Sequence, residues 1–260
     1  MSELDKIIAP EITSDEFSQL LTKLIAEEEL ATVLEIGASS GEGSTEAIYK
    51  GVLQSGRPIN VYSLEVSAAR FTALQARYEK ASQMHSIHAS SVKLTDFPTE
   101  QEVTDFYNTH PTNLNHYPLK LILEWRKQDI DYIKENAVPE TGIDLAKQEA
   151  GVEVFDLVLI DGSEFTGAAE LKQVHGAKFI LLDDVVAFKN HHNHVRLEND
   201  PLYDLLISDF KLRHGFSVFK RKDVVLQGKD HHQLLIKVEP PKKPVRKTFW
   251  KKLLSRVKPG

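Results

Sequence analysis

The fold of this chain is decided by the stretch Thr32-Val33-Leu34-Glu35-Ile36-Gly37-Ala38-Ser39-Ser40-Gly41-Glu42-Gly43-Ser44-Thr45. Its apolar, β-branched start predicts a strand, its small residues predict a tight turn, and a helical pattern begins at Thr45. A doubly wound α/β sheet binds its cofactor at such a strand–turn–helix unit. The glycines permit positive φ angles and let a ligand come close to the backbone.

The glycine spacing separates two kinds of cofactor site. Gly37, Gly41 and Gly43 follow the pattern Gly-x3-Gly-x-Gly, whereas the dinucleotide fingerprint is Gly-x-Gly-x2-Gly. The spacing therefore disfavours a nicotinamide-dependent oxidoreductase. Amide groups at the start of the helix still favour an anionic group. A strand followed by a flexible loop, with no ligand, is the other interpretation of this stretch.

The remaining pattern predicts an α/β fold with a doubly wound, mainly parallel, Rossmann-like sheet. Further strands are predicted at residues 59–64, 86–89, 155–160 and 179–182, and helices at residues 14–29, 45–52 and 68–80. Ser14 is the predicted N-cap of the first helix. Residues 216–219 and 233–238 are predicted to form a closing antiparallel pair of strands.

Residues 95–151 interrupt this alternation. The segment is polar, has aromatic and helical patches but no clear strand, and is longer than one crossover helix requires. We interpret it as a helical insertion in a domain that spans residues 1–239. It either lies over the mouth of the cleft, or it enlarges the helical layer and touches no substrate.

The opening stretch resembles the first motif of the class I S-adenosylmethionine-dependent methyltransferases, Glu/Asp-x-Gly-x-x-x-Gly. The resemblance implies that residues 1–239 are a methyltransferase domain and that S-adenosylmethionine is the cofactor. In that family the glycine turn lies along the methionine part of the cofactor, which here would involve Glu35, Gly37, Ala38, Ser39, Gly41 and Ser44.

Other residues would bind the rest of the cofactor. Glu65 follows the second strand, where an acid can accept hydrogen bonds from ribose hydroxyls. Ser90 and Ser91 follow the third strand and match the place where the family contacts adenine, and Asp161 is a further cofactor candidate. Small hydroxyl residues at such positions can equally be simple turn formers.

Three acids follow two other predicted strands. Asp161 ends the strand at residues 155–160, and Asp183 and Asp184 end the strand at residues 179–182. If they meet at one sheet edge, they repel one another, and some pKa values rise unless a cation compensates. An all-oxygen set of this kind suits Mg²⁺. Otherwise one aspartate caps a helix and another faces solvent.

The two runs Ile160-Asp161-Gly162-Ser163 and Leu181-Leu182-Asp183-Asp184-Val185 resemble the metal-dependent sugar O-methyltransferases and their broader family. This resemblance implies that Asp161, Asp183 and Asp184 hold Mg²⁺, which binds two neighbouring hydroxyls of the sugar. It also implies a saccharide or glycolipid acceptor. The chain departs from those enzymes where Ser163 and Glu164 follow Asp161.

Methyl transfer requires a positioned acceptor and a group that makes its hydroxyl nucleophilic. Asp161 is one candidate for a catalytic role. Histidines after the acidic pair provide another, and among His191, His192 and His194 we take His192 as the candidate general base, because imidazole titrates near neutral pH. The same histidines could instead form a transition-metal site or a polar surface loop.

The composition excludes several classes of protein. The 260 residues contain no cysteine, which excludes disulfides and cysteine-ligated zinc and agrees with a cytoplasmic location. The longest apolar runs, such as residues 157–160, are too short to span a bilayer. A net charge of −6 gives no reason to expect nucleic acid as a partner.

Residues 240–260 form a basic tail with no acid. One helical face carries Phe249, Trp250, Leu253, Leu254 and Val257, which predicts an amphipathic helix at an anionic membrane surface. This would make the protein peripheral to a membrane. A solvated tail and a nucleic-acid contact are the other two interpretations.

Together these patterns predict an S-adenosylmethionine-dependent O-methyltransferase that acts on a saccharide or glycan hydroxyl with assistance from Mg²⁺. The alternative is a methyltransferase-like binding protein that retains the cofactor pocket and docks partners through its insertion and tail. Turnover with a suitable acceptor distinguishes the two.

Overall fold

A seven-stranded sheet forms the centre of the computed structural model, which describes residues 3–222. The strands are β1 (Thr32–Ile36), β2 (Asn60–Glu65), β3 (Met84–His88), β4 (Leu157–Ile160), β5 (Phe179–Asp183), β6 (Tyr203–Asp209) and β7 (Phe216–Arg221). Their order is β3-β2-β1-β4-β5-β7-β6; the first five are parallel, and β7 is antiparallel to both of its neighbours. The order 3-2-1-4-5 is that of a doubly wound sheet, so the predicted fold class is confirmed.

Helices cover the sheet and connect its parallel strands. They are α1 (Glu16–Glu27), α2 (Ser44–Ser55), α3 (Ala68–Tyr78), α4 (Glu100–Thr109), α5 (Leu119–Glu135), α6 (Gly142–Ala150), α7 (Gly167–Val174) and α8 (His191–Glu198). The N-cap of α1 is Asp15 rather than the predicted Ser14, since the Asp15 side chain accepts a hydrogen bond from the Ser18 amide at 2.7 Å. None of the helices within residues 3–222 is long and apolar enough to cross a membrane.

The closing antiparallel pair differs from the prediction in one of its members. Strand β7 includes the predicted residues 216–219, but its hairpin partner is β6, which the sequence analysis did not assign. The antiparallel register of β6 and β7 begins with Tyr203 opposite Arg221, and a bulge interrupts it between Leu205 and Ile207. Residues 233–238 and the tail at residues 240–260 lie outside the described residues.

The segment at residues 95–151 contains α4, α5 and α6, which take two different positions. Helix α6 packs against β2 and β3 as part of the layer that covers the sheet. A Cβ on its first residue, Gly142, would lie 2.7 Å from the carbonyl oxygen of Ser90, so the helix starts in close contact with the end of β3. Helices α4 and α5 pack on each other, and α5 borders the cavity described below.

The central strands are buried on both faces, as helices on both sides of a parallel sheet require. Every residue of β4 and β5 is buried, and Phe17 of α1 packs against Phe216 of β7 with ring centroids 4.7 Å apart. This core fixes the carboxyl ends of β1, β4 and β5 side by side. The loops that follow those strands are therefore held close together.

Gly37 shows how closely the strand ends approach. Its φ angle is +91°, and a Cβ at this position would lie 2.1 Å from the backbone oxygen of Asp161. The turn after β1 therefore lies directly against the residue that follows β4. Only glycine satisfies both the positive φ angle and the close contact.

We expect Gly37→Ala to lower the free energy of unfolding by about 2 kcal/mol more than Gly56→Ala, because overpacking at a fixed backbone contact costs roughly 1–3 kcal/mol. Gly56 is the matched control, since its φ angle is also positive, +63°, but nothing lies within 4 Å of the added Cβ. Urea unfolding followed by circular dichroism measures both losses. Equal losses would contradict a tight contact between the turn and the end of β4.

Candidate active site

A cavity of about 400 Å³ opens at the carboxyl edge of the sheet. Its volume lies in the range of small-molecule sites, roughly 300–1,000 Å³. Ten of the predicted site residues line it: Gly37, Ala38, Ser39, Ser44, Glu65, Ser90, Ser91, Asp161, Asp183 and Asp184. Among the described residues, the predicted site members Glu35, Gly41 and His192 do not belong to the lining.

Glu35 lies beneath the turn and does not face the cavity. Its carboxylate is fully buried and accepts hydrogen bonds from the hydroxyls of Ser44 (2.6 Å), Thr45 (2.9 Å) and Ser63 (2.8 Å). Burial raises the pKa of Glu35, and the three donors oppose that rise. Glu35 therefore joins β1 to the first turn of α2 and positions the glycine turn, whereas the prediction was that it helps to hold the cofactor, directly or through water.

Gly41 has a comparable supporting position. Its φ angle is +80°, and a Cβ there would lie 2.8 Å from the side chains of Leu74 and Tyr78 on α3. The Tyr78 hydroxyl donates a hydrogen bond to the Gly41 carbonyl at 2.7 Å. Gly41 thus lets the turn pack on α3, and the residues before it, Gly37 to Ser40, form the cavity wall.

Glu65 combines a supporting role with access to the cavity. Its carboxylate accepts one hydrogen bond from the Ser39 amide at 2.8 Å and another from the Ser67 amide at 2.7 Å. Burial raises its pKa, and these amide donors act in the opposite direction. A carboxylate offers about four acceptor positions, so both oxygens can still accept a hydrogen bond from a ligand hydroxyl.

Ser90 and Ser91 line the cavity, but their hydroxyls are used within the protein. The Ser90 hydroxyl donates to the Val92 carbonyl at 2.8 Å, and the Ser91 hydroxyl donates to Glu170 at 2.6 Å. The cavity also has apolar walls, formed by Leu64, Val66, Ala89, Phe97, Trp125 and Ile133. A planar apolar group would be held here by these walls and not by the serine hydroxyls.

The three predicted acids do meet at one edge of the sheet. Oxygen atoms of Asp161, Asp183 and Asp184 all lie within 4.8 Å of one another. The backbone of Asp184 has a positive φ angle of 58°, which belongs to the sharp turn after β5. The predicted convergence of these side chains is therefore present in the structure, whereas the metal itself stays a prediction.

Lys189 lies inside this acidic cluster. Its Nζ atom is 2.9 Å from Asp161 Oδ1 and 2.6 Å from Asp184 Oδ2, and its side chain is only 8% exposed. Asp183 has a separate cation, because Arg213 contacts Asp183 Oδ1 at 2.6 Å and also pairs with Asp15 at the start of α1. Two cations thus neutralise most of the charge of the three aspartates.

The pKa values in the cluster follow from burial and these pairs. Burial raises the pKa of Asp161 to about 6 against the opposing effect of Lys189, and burial with two neighbouring aspartates raises the pKa of Asp183. Burial on its own would raise the pKa of Asp184, but Lys189, His214 and Arg213 together outweigh it and lower that pKa. Burial alone would lower the pKa of Lys189, yet the surrounding carboxylates raise it, so Lys189 remains an ammonium.

Two further carboxylates line the cavity near the acidic cluster. Glu164 Oε1 accepts hydrogen bonds from the Tyr107 hydroxyl at 2.6 Å and the Phe188 amide at 2.9 Å, and burial raises the pKa of Glu164 to about 7. Asp129 of α5 accepts a hydrogen bond from the Ser163 hydroxyl, and burial raises its pKa to about 6. Carboxylates with such values can exchange protons near neutral pH.

The predicted general base, His192, is placed elsewhere. It belongs to an aromatic cluster on the outer side of α8, where its ring lies 5.5 Å from that of Phe106 and 5.6 Å from that of His110. Burial lowers the pKa of His192, and proximity to His110 lowers it further. Because His192 does not line the cavity, we withdraw it as the catalytic base.

Sequence reasoning missed several groups that matter here. Lys189 and Arg213 reach the aspartates from loops that carry no motif. Asp129 lies in the middle of α5, in a segment that the sequence identified only as an insertion. Glu164 was noted only as a departure from the sugar enzymes. Its one signal in the sequence is that it is an acid three residues after Asp161.

No family model matches the sequence, and no curated protein matches it at a significant level. Among solved structures, the chain is similar to the methyltransferase PaMTH1 of Podospora anserina with SAH bound, at 15% identity and a TM-score of 0.46, over 82% of this chain and 81% of the other. It is also similar to an O-methyltransferase of Bacillus cereus in complex with SAH, at 16% identity and a TM-score of 0.45, over 80% of each chain.

A third similar structure is the O-methyltransferase TomG of Streptomyces achromogenes, in complex with SAM and involved in tomaymycin synthesis. Its identity is 14% and its TM-score 0.45, over 80% of this chain and 81% of the other. Because these identities are below 25% and these TM-scores below 0.5, the function of this chain has to be derived from its own site.

Proposed function

We propose that this chain is an S-adenosylmethionine-dependent O-methyltransferase. The observation that carries the proposal is the shared cavity: the glycine turn, the Glu65 carboxylate and the acidic cluster with Lys189 all line it. S-adenosylmethionine would supply a methyl group activated by its sulfonium. The chain would supply binding, orientation and a base for the acceptor hydroxyl.

The residues of the cavity fit such a cofactor. The turn at residues 37–40 lines the cavity with backbone and small side chains. Glu65 would accept hydrogen bonds from neighbouring hydroxyls while Ser39 and Ser67 hold it in place. The apolar walls next to Ser90 suit a planar base. These three features support binding of a nucleoside that carries an amino acid group.

Glu164 is the carboxylate that we propose as the general base. It lines the same cavity as Asp161 and Lys189, and its position is fixed by the hydrogen bonds from Tyr107 and Phe188. A pKa of about 7 leaves a useful fraction of Glu164 ionised at neutral pH, when it could take the proton from an acceptor hydroxyl. Asp161 would act beside it by binding Lys189.

A saccharide remains the proposed acceptor, as the resemblance to the sugar O-methyltransferases implies. The acidic cluster and Lys189 support it, because charged groups that accept and donate hydrogen bonds suit a polyhydroxylated molecule. The predicted Mg²⁺ has an oxygen ligand set of the right kind in Asp161, Asp183 and Asp184, but Lys189 already binds two of these residues. We therefore assign no catalytic step to a metal.

Glu65→Gln is expected to weaken S-adenosylmethionine binding at least tenfold, about 1.4 kcal/mol, because an amide accepts fewer hydrogen bonds from hydroxyls than a carboxylate does. Isothermal titration calorimetry of the full chain measures the affinity. Glu46→Gln is the matched control, since Glu46 lies in the first turn of α2, directly after the motif, and pairs with Lys50. Equal affinity of Glu65→Gln and wild type would contradict the assignment of Glu65.

Transfer of labelled methyl groups to a panel of saccharides tests the reaction itself. For an acceptor that is methylated, kcat/KM should rise with pH through about 7, because Glu164 must lose its proton to act as a base. Glu164→Gln should reduce kcat by about 100-fold or more, and it should remove the rise of kcat/KM with pH, which we call the acidic limb of the pH profile. Cofactor binding without transfer to any acceptor would favour the binding-protein alternative.

A second variant distinguishes a base from a structural acid. Tyr107→Phe removes a hydrogen-bond donor that favours the ionised form of Glu164, so the pKa of Glu164 should rise. The acidic limb should therefore move to higher pH, while the value of kcat/KM that is reached at high pH changes less. Tyr49→Phe, on α2, is the control and should leave the limb in place. An unchanged limb in Tyr107→Phe would show that another group controls the pH dependence.

We also propose that the tail at residues 240–260 binds anionic membranes, as its basic and apolar residues suggest. Each lysine or arginine near such a surface contributes about 1 kcal/mol at most. The full chain should therefore sediment with anionic vesicles at low salt and release at high salt, while a chain ending at Glu239 stays in solution. Equal sedimentation of the two chains would contradict a membrane role for the tail.

A further inference from the structure

We propose that the Lys189 ammonium takes the place of a divalent cation among Asp161, Asp183 and Asp184. The cluster then works without a metal, and Lys189 offers an N–H donor to an alcohol oxygen bound in the cavity. The replacement of the cation follows from the cluster alone. The contact with the alcohol rests on the proposed function.

The position of Lys189 is fixed by its neighbours. The Asn190 side chain donates hydrogen bonds to the carbonyl of Ile160 at 3.0 Å and to that of Asp183 at 2.6 Å, so it joins the ends of β4 and β5. The Asn193 side-chain amide donates a hydrogen bond to the Asn190 side-chain oxygen at 2.8 Å. On the other side, a Cβ on Gly167 would lie 2.0 Å from the Lys189 carbonyl oxygen, so α7 begins directly against this residue. The backbone of Lys189 is therefore held on two sides.

The ammonium uses the oxygens that a metal would need. Mg²⁺ requires oxygen ligands at 2.0–2.1 Å in near-octahedral geometry. Asp161 Oδ1 and Asp184 Oδ2 are instead paired with Lys189, and Asp183 Oδ1 is paired with Arg213. A divalent ion bound to the remaining oxygens would lie beside the buried Lys189 ammonium and the partly buried Arg213 guanidinium, and their repulsion disfavours its binding. The cluster has its counter-charge from the chain itself.

The hydrogen-bonding positions that the cluster leaves unused point to a hydroxyl as its ligand. An ammonium has three N–H donors, and Lys189 uses two of them in hydrogen bonds to Asp161 and Asp184. Because Lys189 lines the cavity, its third donor can serve a ligand. Asp184 Oδ1 is buried and has no hydrogen-bond donor among residues 3–222. An alcohol can accept a hydrogen bond from Lys189 and donate one to Asp184, whereas a carboxylate can only accept and an ammonium can only donate.

Binding of Mn²⁺ to the full chain tests the replacement directly, with free Mn²⁺ measured by electron paramagnetic resonance. Wild type and Lys189→Arg, which keeps the cation, should bind Mn²⁺ no better than Asp184→Asn does. Lys189→Met should bind it at least tenfold more tightly, and Lys189→Met with Asp184→Asn should lose that gain. Circular dichroism checks that each variant is folded, and Lys189→Gln repeats the measurement if Lys189→Met is not.

Two results of this titration would overturn the proposal. One is Mn²⁺ binding to wild type that Asp184→Asn abolishes, since a metal would then share the cluster with Lys189. The other is a folded Lys189→Met or Lys189→Gln that gains no Mn²⁺ binding, since the aspartates would then not form a cation site. Neither result depends on turnover, so they are separate from failure of the proposed function.

Turnover supplies a second comparison. With an acceptor that is methylated, transfer by wild type should be unchanged in excess chelator. Loss of transfer in chelator, restored by Mn²⁺ or Mg²⁺, would overturn the proposal while supporting the proposed function. Absence of transfer under every condition would contradict the proposed function and leave the Mn²⁺ titration to decide the role of Lys189.

Discussion

Neutralisation of buried negative charge is the constraint on which this site depends. Three aspartates converge where β4 and β5 end, in a place that burial makes unfavourable for ionised carboxylates. Lys189 and Arg213 supply the opposite charge. The loop after β5 must therefore fold back over the strand ends, and Asn190 fixes it there by bonding to both strands.

The same arrangement brings the turn and the charged groups into one cavity. The turn after β1 lies against the end of β4, and Glu65 holds that turn through the Ser39 amide. Glu164 and the Lys189 cluster line the same cavity. A cofactor bound along the turn and an alcohol bound at the Lys189 cluster would therefore lie close together, which is what methyl transfer requires.

The sequence predicted those parts of the fold that local patterns encode. The apolar run before Gly37 and the acids that follow each buried strand were sufficient to place the sheet edge and its acidic cluster. Strand β6 was missed because its residues are largely exposed or half-buried and show no clean alternation. The N-cap of α1 is Asp15, one residue after the predicted Ser14. Capping rules do not separate the two, because serine and aspartate are both preferred at this position.

The site was less predictable because its decisive contacts join distant residues. Lys189 reaches Asp161, 28 residues away in the sequence, and Arg213 reaches Asp15 across 198 residues. No spacing rule connects such pairs. His192 was chosen for its typical pKa, but only the structure shows that it lies in an aromatic cluster outside the cavity. Glu35 was taken for a cofactor ligand, since the pattern could not show its three hydroxyl donors.

The most direct test of this account is a crystal structure of the full chain grown with S-adenosylhomocysteine and Mn²⁺, with an anomalous difference map. We predict ribose hydroxyls within hydrogen-bond distance of Glu65, the Lys189 ammonium between Asp161 and Asp184, and no anomalous peak at the aspartates. A manganese peak bound by Asp161, Asp183 and Asp184, or a ligand bound away from Glu65, would contradict the account.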